Sequence, residues 1–114
     1  MEQNKITGRI EYQKLIRDRI PEIIRQDGKA FETVQLSEEE YEKALREKLM
    51  EEAREAATAQ VSNLTMEIAD LYEVIDALMK LHHVEEKTVR QIQQQRYHKR
   101  GGFEQRLQLL WVEE

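Results

Sequence analysis

An all-α fold, a bundle of about four helices, is what this sequence predicts, and three observations predict it. Apolar residues recur at helical spacing through three separate stretches. Helix punctuation is present where those stretches start and stop: Ser37 with Glu40, Pro21, Gly28 and the Gly101-Gly102 pair. The composition is rich in the helix formers Glu, Lys, Gln, Leu and Ala.

Residues 1–11 are polar and without a clear period, and they read as a flexible lead before a single domain over 12–114. Leu15, Ile16, Ile20, Ile23 and Ile24 then predict a short helix, with Pro21 in a first turn and Gly28 as its stop. Between Phe31 and Leu36, β-branched residues suggest a short extended piece. Ser37 and Glu40 form the capping-box pattern, in which hydroxyl and carboxylate satisfy free backbone amides, and a helix follows from about Glu38 to Ala59. From Val61 to Leu81 the apolar returns at Val61, Leu64, Ile68, Leu71, Tyr72, Ile75, Leu78 and Met79 predict the most buried helix of the chain. A polar, Gln-rich helix over Glu85 to Arg100 ends at Gly101, and Phe103 to Val112 reads as a strand pairing with 31–36, a minor two-stranded β element.

With 114 residues, 39% of them apolar and 36% charged, the chain is lean for a self-contained globule. The buried helix has few partners within one chain, so a homodimer or a dimer of dimers, with helices packing across it, is expected. The net charge of −5 and the lack of a helix-turn-helix pattern argue against nucleic acid as partner. No cysteine is present, which removes disulfides, thiolate metal sites and a Cys nucleophile. No apolar run reaches membrane-spanning length and the N-terminus has no apolar secretory core, so the expectation is a cytoplasmic protein without a membrane contact.

The informative residues are acids in unexpected places. Drawn at about 100° per residue, the helix from Glu38 carries Tyr41, Leu45, Leu49, Ala53 and Ala56 on one stripe. Glu52 falls inside that stripe, Glu55 lies roughly 60° further round on its border, and Glu51 is a little beyond. On the following helix Glu67 sits between Leu78 and Val74, and Asp70 borders Leu81. Glu73 and Asp76 share the same three-residue spacing but project to the polar side. A carboxylate on a core-facing stripe is costly unless it is paired or bound to a cation. Four such oxygens without a nearby Cys or His suit Mg²⁺, with Mn²⁺ as the alternative, better than Zn²⁺ or iron. The competing explanation is ion pairing with Lys48, Arg46 or Arg54 at a helix surface. His82, His83 and His98 lie at a helix end and on a polar helix and read as structural.

The run Lys48-Leu49-Met50-Glu51-Glu52-Ala53-Arg54-Glu55, followed by Glu67-Ile68-Ala69-Asp70-Leu71, resembles the Glu-Glu-x-x-Glu and Glu-x-x-Asp signature of the all-α nucleotide pyrophosphohydrolases. That superfamily includes MazG, the dimeric dUTPases and phosphoribosyl-ATP pyrophosphohydrolase. The segments Tyr12 to Pro21 and Lys99-Arg100-Gly101-Gly102-Phe103 are similar to its compact MazG-like, or phosphoribosyl-ATP pyrophosphohydrolase-like, branch. The resemblance covers residues 12 to about 110 and implies hydrolysis between the α- and β-phosphates, releasing a nucleoside monophosphate and pyrophosphate. It implies Glu52, Glu55, Glu67 and Asp70 as metal ligands and Glu51 as a further catalytic carboxylate. One of these carboxylates, or the metal, prepares the attacking water. Lys48, Lys99 and Arg100, and more weakly Lys14 and Arg17, are candidates for steadying the polyphosphate. Unlike the phosphoribosyl-ATP enzyme, the chain lacks the strand-like N-terminal segment expected there, which favours a general or damaged nucleoside triphosphate. The alternative to an enzyme is a non-catalytic helical binding module related to this fold.

Overall fold

A computed structural model describes residues 8–114, and residues 1–7 of the expected flexible lead lie outside the described residues. Among the described residues there are four helices and no strand: α1 (Ile20–Gln26), α2 (Glu38–Thr58), α3 (Val61–Leu81) and α4 (Glu86–Arg100). The chain divides within α3 into two compact units, one running up to Leu78 and the other from Met79 onward. The sequence shows no boundary there, because the division falls inside a helix and not in a linker.

Helix α1 starts later than the apolar spacing predicts, and Leu15 and Ile16 precede it in non-helical chain. Pro21 explains this. A proline is tolerated only in the first turn of a helix, so Pro21, the second residue of α1, fixes the start of the helix beside it. At the other end Gly28 adopts φ 74°, and its amide and that of Lys29 reach back to the Arg25 and Ile24 carbonyls at 2.9 and 3.2 Å. That closure needs a left-handed residue, which glycine adopts without steric cost.

The capping box of α2 is complete. The Glu40 amide donates to the Ser37 hydroxyl at 3.2 Å and the Ser37 amide donates to the Glu40 carboxylate at 2.9 Å. The bond from the Ser37 amide, with the Ser37 side chain adding to it, holds the Glu40 carboxyl below its ordinary value. After α2, the two-residue link Ala59–Gln60 turns the chain directly into α3, so the two 21-residue helices form an antiparallel hairpin.

The buried side chains of the described residues are Leu45 of α2 and Val74 of α3. Each lies about four turns from the link, so the two stand at the same level of the hairpin. The rest of the inward face of α3 is half-buried at Leu64, Glu67, Asp70, Leu71, Ala77, Leu78 and Leu81. Val61, Ile68, Tyr72 and Ile75, also predicted to be buried, are exposed, because they occupy a second stripe turned away from α2. On α2 the inward face runs through Tyr41, Leu45, Leu49, Glu52 and Ala56, whereas Ala53 is exposed.

The β element predicted for 31–36 and 103–112 does not form. A strand exists only by pairing, and no backbone hydrogen bond joins the two segments. Residues 103–106 close a turn through the Arg106 amide and the Phe103 carbonyl at 3.0 Å, with Arg106 at φ 56°, which breaks the extended run. Helix α4 carries no buried residue and ends at Gly101, φ 80°, with Lys99 and Arg100 exposed in its last turn.

Candidate metal centre

Three of the four predicted ligands converge. Carboxylate oxygens of Glu52, Glu67 and Asp70 all lie within 4.8 Å of one another, and all three residues are half-buried. The hairpin brings this about: Glu52 is about two turns before the link and Glu67 about two turns after it, so the antiparallel helices present them at one level. Asp70 follows Glu67 by three residues on the same face. Glu73 and Asp76, with the same spacing, are exposed, as their angular position requires.

Glu55 is not a member of the group. The contact face of α2 passes from Glu52 to Ala56, and Glu55 projects to the side away from it, exposed. Glu51 is also outside the group, for a different reason: its carboxylate is engaged by Lys14 at 3.2 Å and Lys48 at 3.6 Å.

Residues 12–19, which form no helix, run beside α2 and α3 and carry two cations to the cluster. Lys14 reaches Glu51 of α2, and Arg17 donates to Asp70 of α3 at 2.8 Å. Lys48 lies 4.0 Å from Glu52. Of the ion pairs that competed with a metal in the sequence reading, those of Lys48 form, while Arg46 turns to Glu42 instead. The acids are therefore bordered by three bases at surface-like distances, where each pair adds little to stability. An open cleft between residues 13–15 and the Ala44, Glu47, Lys48 and Glu51 flank of α2 leads off from Lys14 and Lys48. Glu47 was not among the predicted site residues, since its exposed position in the α2 period gives no signal until residues 13–15 are placed over it.

Electrostatics separate the two neighbouring glutamates. Glu52, whose side chain is only 14% exposed, has its carboxyl raised above 4.5 by burial first and then by the negative charges of Asp70, Glu51 and Glu67, with Lys48 opposing. Glu51 is lowered below 4.5, chiefly by its hydrogen bond from Lys14, with Lys48 adding to it. The linkage signs are opposite. Stability from Glu52 is present below the ordinary glutamate value and is lost as pH rises through its raised one, whereas that from Glu51 is lost as pH falls through its lowered one. In a metal-free solution held by chelator, Glu52→Gln is expected to melt at a higher temperature than the unaltered chain at pH 7. That advantage disappears as the pH is taken down to about 4, where Glu52 is protonated anyway. Paired thermal melts across pH check it, and a lower melting temperature for the variant at pH 7 contradicts it.

The donor set fits a hard divalent cation. Three carboxylate oxygens within 4.8 Å of one another could together hold such a cation, which takes oxygen ligands. His82, His83 and His98 belong to no such group among the described residues, and His83 instead takes φ 55° where α3 ends.

The fold and this site define an all-α chain with a carboxylate triad between two antiparallel helices, bordered by lysine and arginine. Comparison of the chain with protein-family models, curated proteins and solved structures finds no match. No helix is long and apolar enough to cross a membrane among the described residues.

Proposed function

We propose that the chain is a Mg²⁺-dependent nucleotide pyrophosphohydrolase of the MazG-like kind, acting as a homodimer or dimer of dimers. It hydrolyses a nucleoside triphosphate or related nucleotide between the α- and β-phosphates and releases a nucleoside monophosphate and pyrophosphate, a reaction suited to clearing unwanted nucleotides. The observation that carries this reading is the convergence of Glu52, Glu67 and Asp70 within 4.8 Å on half-buried helix faces.

Glu52, Glu67 and Asp70 hold the cation, which when bound neutralises phosphate oxygens and lowers the pKa of water. Lys14, Arg17 and Lys48 then exchange their carboxylate partners for phosphate oxygens of the nucleotide, to which they make charge-assisted hydrogen bonds. Lys99 and Arg100 are further candidates for the polyphosphate, beside a Gly-Gly turn that admits close approach. A carboxylate of the acidic set receives the proton of the attacking water. Glu51 and Glu55 remain candidates for that role or for supporting the ligands.

The competing reading is a non-catalytic helical binding module, and it rests on Lys14, Arg17 and Lys48 already neutralising Glu51, Asp70 and Glu52. A panel of canonical and damaged nucleoside triphosphates, incubated with Mg²⁺ and scored for pyrophosphate release, separates the two. Turnover of at least one nucleotide, abolished by chelator and restored by Mg²⁺ or Mn²⁺, is the expected result. No turnover of any nucleotide, together with no Mn²⁺ binding, removes the enzyme reading.

A further inference from the structure

The end of the chain is built unlike the rest. Phe103, Leu107, Leu109, Leu110, Trp111 and Val112 are between 75% and 95% exposed, a dense apolar run left largely open to solvent. Beyond Gly101 its backbone forms one hydrogen bond among the described residues, the Arg106 to Phe103 turn. From Leu107 onward the segment forms no helix, strand or backbone hydrogen bond among the described residues. Apolar side chains left in water at this density are unfavourable by roughly 25 cal/mol per Å², and scattered single exposures do not resemble this.

The same chain also carries a surface suited to receive such a segment. On α3 the exposed residues Val61, Ile68, Tyr72 and Ile75 fall within about 60° of one another around the helix, a stripe separate from the one packed against α2. A helix apolar on two faces has only one of them covered here.

We propose that residues 103–112 are an exchange arm that packs on the Val61-Ile68-Tyr72-Ile75 stripe of α3 in a second copy of this chain, with the second copy returning its own arm. Area supports the second copy as occupant. Phe103 and Trp111 offer about 150–250 Å² each, and four aliphatic side chains bring the arm close to the ~800 Å² per partner of a standard stable interface. Reciprocal exchange doubles this and covers both exposed elements of both chains at once, the closed two-fold arrangement that homodimers favour. The lean interior, with only Leu45 and Val74 buried among the described residues, leaves such a chain dependent on intermolecular burial. This inference rests on the homo-oligomer part of the proposed function and not on the activity.

Sedimentation at micromolar concentration tests it. The unaltered chain is expected to be a dimer, and Leu110→Asp with Trp111→Asp a monomer with unchanged far-ultraviolet dichroism, since both side chains are largely exposed and lie outside the helices. Association is expected to be weakened by at least about 100-fold in concentration terms. Because the chain has no cysteine, two single-cysteine variants, Tyr72→Cys and Leu110→Cys, can be mixed and oxidised. A disulfide between the two different chains is expected. A dimer that survives the arm substitutions overturns the arm while leaving the oligomer standing, a monomeric unaltered chain overturns both, and a Tyr72→Cys, Leu110→Cys double variant that links only within itself shows the arm folding back on its own chain. Pyrophosphate release is scored separately and bears on neither outcome.

Discussion

Glu67→Gln is expected to weaken Mn²⁺ binding by about 100- to 1,000-fold and to depress pyrophosphate release at least as much, without lowering the melting temperature of the metal-free protein. The reasoning follows from the triad. Removing one of three carboxylates takes a full negative charge and an oxygen donor from the cation, a loss of several kcal/mol, and each 1.4 kcal/mol is about tenfold in affinity. The same removal relieves repulsion among three acids whose oxygens lie within 4.8 Å, so the empty site gains or holds stability. Glu73→Gln on the exposed side of α3 is the matched control and leaves both readouts unchanged. Titration calorimetry with Mn²⁺, beside thermal melts in chelator, measures the two effects independently. A Glu67→Gln protein that binds Mn²⁺ like the unaltered chain shows that the acids do not share a cation.

Leu45→Ala is expected to have the opposite signature, a loss of about 2–5 kcal/mol of stability. Leu45 is 2% exposed and, with Val74, constitutes the buried interior of the described residues. Small domains hold about 5–15 kcal/mol in total, so the variant stands near the edge of unfolding. Binding of Mn²⁺ to whatever fraction remains folded is unaltered, because Leu45 is two helical turns from Glu52 and offers no donor. Urea unfolding followed by helical dichroism gives the number. A change below about 1 kcal/mol contradicts the assignment of Leu45 to the core, since only a site open to relaxation or solvent loses a leucine so cheaply.

The contrast between these two substitutions expresses how the hairpin divides its labour. At the level of Leu45 and Val74 the facing surfaces are apolar and hold the helices together. Two turns nearer the link, the same two stripes carry Glu52, Glu67 and Asp70, which oppose one another and are offset by Lys48 and Arg17. A site of this kind lowers stability where it raises charge density, a familiar cost of function.

Local chemistry fixed the helices themselves. Ser37 and Glu40 set the start of α2, Pro21 the start of α1, and Gly28 and Gly101 the stops after α1 and α4, because each acts on backbone amides, carbonyls or dihedrals within a few residues. The 3.6-residue period likewise distinguished Glu67 and Asp70 from Glu73 and Asp76 before any neighbour was placed. Tertiary structure decided the rest. Periodicity gives each helix a face but not the rotation at which two faces meet, so only the hairpin separates Glu52, which joins the triad, from Glu55, which does not. Residues 12–19 have no period at all, and their passage along α2 and α3, with Lys14 on Glu51 and Arg17 on Asp70, is a matter of long-range packing. The absent strands make the same point, since an extended segment becomes a strand only when another chain segment offers it hydrogen bonds, and no local signal in Phe31–Leu36 or Phe103–Val112 supplies that partner.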